Sequence, residues 1–487
     1  MWIFLSIACA GLAFLLYVLV QFYWESVRGK RLERQGLNSG PLAPQSGRVV
    51  MMKPLKSSIK DGTQVKKKAM RTAGLIVLLA AMNSRLWAQA APMQTTEMPA
   101  IPGDGRALRN QADKLAAVSE QEAQGGPAAT QPDPQWAYGG FLDAAYLLDF
   151  NHPANHLFRS RGTAYKVDEP LLNVGAAYVR KSGSEASRWG LELTLQGGQD
   201  SRIFGFSATA PNLPGAEWLR HLGPTDVSYL APIGKGLTVQ AGIFSSLIGY
   251  DLLYAKDNFN YTRPWGADFT PYLMMGVNAS YPFTQKLTGT VFVVNDYFHL
   301  ANPNSVPSEG IQIAYKLTGH TTLKETVLYG PHQSKTGREF WRFLWDSIVE
   351  WKTDRITIPF EYHVGTEKVA TTGNPRALWM SAQLPVHWVF SKNWSATARP
   401  EVYWDRDGRL TGFRQTVKAD TTTLEYRIPY RDFGAIVRLE HRIDDSRGPG
   451  GGFFRGTEIA PEVVGLTPTQ NLLILGVIVT LDSHFHP

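Results

Sequence analysis

From residue 136 onward the chain alternates apolar and polar positions with a period of two. Trp189, Leu191, Leu193 and Leu195 oppose Gly190, Glu192, Thr194 and Gln196. Ile311, Ile313, Tyr315 and Leu317 oppose Gln312, Ala314 and Lys316, and Trp394, Ala396, Ala398, Pro400, Val402 and Trp404 oppose Ser395, Thr397, Arg399, Glu401, Tyr403 and Asp405. Between Phe433 and Asp444, the residues Phe433, Ala435, Val437, Leu439 and Ile443 share one parity, interrupted by His441, while Arg438, Glu440, Arg442 and Asp444 share the other. Successive side chains of a strand point to opposite faces, so each run carries one apolar and one polar face. About sixteen such runs follow one another, each bounded by turn residues. No long amphipathic helical repeat interrupts them; residues 214–222 are expected to form only a short helix within a loop.

An alternating strand suits two environments. A soluble sheet turns its apolar face to a core; a membrane barrel turns it to lipid and the polar face to a lumen. The connections separate the two. Long ones lie near 151–165, 200–225, 248–269, 299–308, 331–338, 366–374, 406–418 and 445–469. Between them fall short ones, at Lys181–Ser187, Pro232–Gly236, Pro282–Lys286, Leu317–His320, Lys352–Arg355, Phe390–Asn393 and Pro429–Phe433. Eight long and seven short connections in strict turn imply an even strand count with both chain ends on the short-turn side. A soluble sandwich has no reason to keep that order. Trp136, Trp189, Trp351, Trp388, Trp394 and Trp404 sit near strand ends, where amphipathic rings settle at a lipid–water boundary. The expected fold over 135–487 is therefore all-β, a transmembrane antiparallel up-and-down β-barrel of about sixteen strands. Phe485 continues the outward parity of the last strand and is followed by His486 and Pro487.

The residues before the barrel change the reading of charge. The full chain has 49 Lys+Arg and 42 Asp+Glu, a net of +7. Residues 1–90 hold 13 basic and 3 acidic residues, which leaves 36 basic (49−13) and 39 acidic (42−3), a net of −3. The basic character belongs to a leader, and no nucleic-acid partner is implied. Residues 1–24 read as one apolar helix, followed by Arg28, Lys30, Arg31 and Arg34, and 25–65 as a disordered connection. Lys66, Lys67, Lys68 and Arg71, the short apolar run Thr72–Met82 and the small residues Ala88 and Ala90 form a secretory signal peptide over 66–90, cleaved after Ala90. Because that signal starts late, residues 1–51 read as an over-extended gene start, with an inner-membrane anchor as the alternative. Residues 91–134 read as a flexible periplasmic segment. The single cysteine, Cys9, lies in the leader, so the barrel is expected to have no disulfide.

Three stretches carry a family resemblance. Gly140-Phe141-Leu142-Asp143-Ala144-Ala145-Tyr146 precedes Asn151-His152-Pro153-Ala154-Asn155. Gly242-Ile243-Phe244 and Ile248-Gly249-Tyr250-Asp251 precede Asp257-Asn258-Phe259-Asn260-Tyr261-Thr262-Arg263. Gly276-Val277 and Val294-Asn295 follow. Together they resemble the family described as putative β-barrel porin-2, OmpL-like, over roughly 136–487. The resemblance implies an outer-membrane channel and no particular solute.

If the apolar parity faces lipid, Asp143, Glu192, Arg342, Glu361, Arg399, Glu401, Arg427, Arg438, Glu440 and Arg442 line the interior. Arg399, Arg427, Arg438 and Arg442 come from three consecutive strands and form a basic wall whose neutralisation should shift ion preference towards cations. The long connection 248–269, with Tyr250, Asp251, Tyr254, Lys256, Asp257, Tyr261 and Arg263, is the candidate constriction. The function expected is passive diffusion of small hydrophilic solutes or ions. The partners expected are outer-membrane lipid, those solutes and the barrel-assembly machinery, with a homo-oligomer allowed. A soluble glycan-binding β-protein and an outer-membrane barrel hydrolase are the alternatives. No catalytic, cofactor or metal site is expected: His363, His387 and His441 are scattered on strands, and no phosphate loop, H-E-x-x-H or cysteine cluster occurs.

Overall fold

A computed structural model describes residues 136–202, 216–301, 304, 306–430, 432–460 and 463–485. The leader, including Ala88 and Ala90, and the segment 91–134 lie outside the described residues. The chain forms β1 (Trp136–Asp149), β2 (Pro170–Lys181), β3 (Trp189–Gly197), β4 (Leu222–Ala231), β5 (Leu237–Ser245), β6 (Leu273–Pro282), β7 (Leu287–Val294), β8 (Ser308–Lys316), β9 (Thr321–Pro331) and β10 (Trp341–Lys352). It continues with β11 (Ile356–Lys368), β12 (Arg376–Gln383), β13 (Val386–Val389), β14 (Trp394–Asp405), β15 (Gln415–Tyr430), β16 (Phe433–Arg447), β17 (Phe453–Ala460), β18 (Val463–Thr467) and β19 (Thr469–Phe485). The helix expected over 214–222 is a short 3-10 helix, Ala216–His221.

Each barrel strand pairs antiparallel with its neighbours in sequence. The ends meet: Trp136 of β1 is opposite Lys181 of β2 on one side and Phe485 of β19 on the other. β12 and β13 both pair with β11 and with β14, so they are halves of one span, and the 17-stranded sheet is a closed barrel of 17−1 = 16 spans. The interruption falls at Leu384-Pro385, where proline has no N–H to give a ladder. Closure leaves no sheet edge, the condition under which strands can sit in lipid. β17 and β18 pair only with each other, in the connection between β16 and β19.

The facing is inside-out relative to a soluble protein. On β16 and β19, Leu439, Leu475 and Val479 are 49%, 50% and 46% exposed, whereas Arg438, Glu440, Arg442 and Asp444 are each 0% exposed. The short-turn end carries ring pairs built on exposed tryptophans: Trp189 against Tyr229 at 4.7 Å, Trp394 against Tyr426 at 4.6 Å, and Trp388 against Phe390 at 5.2 Å. The interior is not purely polar. Leu472, Ile474 and Ile478 of β19 point inward and join Phe141, Leu147, Phe158, Tyr261, Trp265, Tyr403 and Val417 in an apolar cluster. β19 is therefore apolar on both faces: one meets lipid and the other meets side chains of connections folded inside. Replacing Leu475 by Arg should cost about 2–4 kcal/mol of folding stability in bilayers if it lies near the midplane. Denaturant titration in liposomes measures this; a neutral result would overturn the outward facing of β19.

Candidate functional site

The connection between β5 and β6 enters the barrel. It follows Ser245, passes Gly249, whose φ of +86° is open to glycine, and holds two short turns, Ala255–Asp257 and Trp265–Asp268. The Asn258 amide closes its first bend, accepting from the Leu252 N–H (2.7 Å) and donating to the carbonyls of Leu252 (2.8 Å) and Tyr254 (3.1 Å). Most of its backbone belongs to no helix or strand. Buried backbone groups need partners, and the barrel wall supplies them.

β16 supplies most. The Arg438 guanidinium donates to the carbonyls of Ala255 (2.6 Å), Asn258 (2.5 Å) and Asn260 (3.1 Å) while its Nε holds Glu425 at 2.7 Å. Glu440 accepts from the N–H groups of Tyr261 (2.6 Å) and Thr262 (3.0 Å) and from the hydroxyls of Thr262 (2.5 Å) and Thr423 (2.6 Å). Arg442 donates to the Arg263 carbonyl (3.1 Å) and pairs with Glu401 (2.9 Å) and Asp444 (2.8 Å). Asp444 accepts from Trp265 Nε1 at 2.7 Å, and Glu401 from Trp265 N at 2.5 Å. The alternating cations and anions of β16 thus match alternating carbonyls and N–H groups of the loop. Charge-assisted bonds of this kind are about twice as strong as neutral ones.

The other walls hold the loop's side chains. Tyr261 OH donates to Asp143 on β1 (2.6 Å) and accepts from Asn173 on β2 (2.5 Å). Its ring lies over Gly476 of β19, where an added Cβ would stand 2.5 Å from Tyr261 Cδ2. Tyr254 OH reaches Gln196 on β3 (2.7 Å), and Tyr250 OH reaches Glu350 on β10 (2.7 Å). Asp251 accepts from Gln383 at 2.7 Å and lies 3.9 Å from Arg399. Burial pushes the Asp251 carboxyl up to about 6, against the pull of Arg399. Arg263 donates to the loop's own carbonyls at Leu253 and Tyr261. Lys256 and Asp257 pair with each other at 2.7 Å.

The expected interior residues therefore fall into two groups. Asp143, Glu361, Arg399, Glu401, Arg438, Glu440 and Arg442 are buried around the loop. The rest form their hydrogen bonds and ion pairs outside it. Arg342 pairs with Glu367 at 2.8 Å, Glu192 takes a 3.4 Å bond from Thr194, and Arg427 pairs with Glu425; Glu192 and Arg427 are half-buried, nearer the short-turn end. The four arginines of the basic wall are each paired with carboxylates. Parity alone did not single out Glu425 or Asp444 as their counter-ions. Nor did it reveal the first long connection, which also reaches inward: Arg161 donates to the Arg263 carbonyl (2.6 Å) and pairs with Asp268 (2.9 Å), and Phe158 packs on Trp265 at 6.1 Å. Only the register of the closed barrel brings these residues together.

Solved structures similar to the chain include OmpT, an outer membrane protein of Vibrio cholerae, at 10% identity and TM-score 0.44, covering 74% of this chain and 100% of that one. An anion-selective porin from Comamonas acidovorans aligns at 10% identity and TM-score 0.45, covering 72% and 100%. Pseudomonas aeruginosa OpdO aligns at 11% identity and TM-score 0.38, covering 73% and 98%. No curated protein matches the sequence. The profile of the family described as "Putative beta-barrel porin-2, OmpL-like" matches residues 136–481, which spans the closed barrel from its first strand into its last. The chain belongs to that family and is a β-barrel porin of the bacterial outer membrane.

Proposed function

We propose that small hydrophilic solutes or ions pass down their gradients through this barrel and that the loop 248–269 is the constriction they pass. The observation that carries the reading is the anchoring of the loop to interior side chains on β1, β3, β10 and β16. A segment tied to opposite walls narrows the cross-section without closing the barrel's ends, and the charges that hold it set a local field. On this reading the partners are outer-membrane lipid, the passing solutes and the machinery that inserts closed barrels. The protein is then a channel and not an enzyme. In support, His387 stacks on Phe259 at 4.1 Å and bonds the Thr397 hydroxyl, while His441 faces outward.

Single-channel recording in planar bilayers tests the channel. The wild-type barrel should give discrete steps, and replacing residues 250–264 by a short Gly-Ser bridge should enlarge them about twofold or more. Absence of steps from a folded barrel would end the porin reading; unchanged step size would remove the loop from the constriction. The docking itself has a separate readout. Glu440→Gln weakens the bonds to Tyr261 and Thr262, and Gly476→Val pushes on the Tyr261 ring. Amide exchange over 258–266 should rise at least about tenfold in either variant, about 1.4 kcal/mol of lost protection. Migration on unboiled gels should stay that of a closed barrel.

A further inference from the structure

We propose that Asp346, Glu361 and His363 form a divalent-cation site beneath the root of the inward loop. Asp346 of β10 stands opposite His363 of β11, and Ile348 stands opposite Glu361, so the three polar residues share one patch of the interior face. Their ligand atoms all lie within 4.8 Å of one another, with His363 Nδ1 3.9 Å from Glu361 Oε1. The residues are 0%, 3% and 1% exposed.

The hydrogen bonding divides each carboxylate in two. Asp346 Oδ2 accepts from Gly249 N at 2.9 Å, and Glu361 Oε2 accepts from Gln383 Nε2 at 2.5 Å. Asp346 Oδ1, Glu361 Oε1 and both nitrogens of His363 have no hydrogen-bond partner among the described residues. Buried groups left in that state are costly. One oxygen oriented by an outer partner and the other turned to a shared point is the pattern of metal ligands with their supporting shell. A proton shared between the two carboxyls would relieve their repulsion, and a protonated His363 would face Glu361 only at 3.9 Å, beyond the length of a hydrogen bond. Arg399 is engaged elsewhere, 3.9 Å from Asp251 and 3.5 Å from Glu401, and the cationic side chain whose charge acts on Asp346 is Lys324 of β9, opposite Ile348.

Two carboxylate oxygens and one imidazole nitrogen suit Zn2+ or Mn2+ better than Ca2+ or Mg2+, which take more oxygens. The loop comes down on this patch through glycines. A Cβ on Gly249 would lie 3.5 Å from Glu361 Oε1, and one on Gly266 would lie 2.7 Å from His363 Cε1. A cation held here braces the wall at the two points where the loop rests on it. The cluster Asp296, His299 and His332 is different in kind, because both imidazoles already bond Asp296, at 2.5 and 2.8 Å.

The test uses the folded full-length barrel in detergent, in a His299→Ala/His332→Ala background that removes the second cluster. The protein is stripped with chelator, equilibrated with Zn2+ or Mn2+ alone, desalted and assayed for metal by mass spectrometry. About one equivalent per barrel should remain, falling below about a tenth in Glu361→Gln and His363→Gln. Unboiled-gel migration confirms that each variant is closed. Loss of all metal from the background protein, or retention that neither substitution lowers (an adventitious ion only), overturns the site. Should the variants fail to fold, zinc-edge X-ray absorption of the background protein decides. One imidazole among oxygen ligands supports the proposal; several imidazoles, or oxygen alone, overturns it.

Discussion

Much of this interior depends on one constraint: a stretch of irregular backbone is buried where no regular ladder satisfies it. The residues between Leu253 and Trp265 present bare carbonyl and N–H groups to the barrel wall. β16 meets them with Arg438, Glu440 and Arg442, cation and anion in alternation along one face, while Asp444 on the same face holds the indole N–H of Trp265 and Glu401 of β14 takes its backbone N–H. The period of two that points Leu439 and Ile443 to lipid is the same period that spaces these charges to the loop backbone. One strand thus serves lipid with one parity and the loop with the other.

This arrangement also explains why the inner face departs from a simple polar lining. Where the loop is tied by its backbone, the wall is charged. Where the loop presents rings, the wall is apolar or small: Leu472, Ile474 and Ile478 lie in the cluster with Tyr261 and Trp265, and Gly476 receives the Tyr261 ring face. The barrel therefore has an interior core, built from connections as much as from strands. Arg161 and Phe158 from the first long connection extend that core around Trp265 and Asp268.

The fold was legible in the sequence because lipid imposes a pattern with few exceptions. Alternation gave the facing of Leu191, Ile313 and Leu439, and the order of long and short connections gave the strand count and the closure. Parity also placed Asp143, Glu401 and Glu440 on the inner face. It did not tell which inward residue meets which, because that depends on how far each strand is staggered against strands distant in the chain. Glu425 lies on the same parity as Thr423, yet its role beside Arg438 needs the register of β15 against β16. Arg161 carries no periodic signal, since its connection has none. Glu361 and His363 are two apart on β11 and so share a face, but Asp346 joins them only through the pairing of β10 with β11.

The pairing of the wall arginines bears on ion preference. A count of inward charges would assign a basic field to the side formed by Arg399, Arg438 and Arg442. Each of these is buried and held against a carboxylate: Arg399 near Asp251 and Glu401, Arg438 on Glu425, Arg442 on Asp444 and Glu401. Closely paired opposite charges leave a dipole whose field falls off faster with distance than that of either charge alone. On the proposed function, half-buried charges such as Glu192 and Arg427, towards the short-turn end, stand closer to a passing ion than the buried pairs do. Arg427 is itself drawn onto Glu425, which it shares with Arg438, so that carboxylate is outnumbered by its two guanidinium partners. On the proposed function, selectivity then arises less from the total of interior charges than from the few sites where pairing is unequal, and the buried arginines serve first to hold the segment that narrows the path.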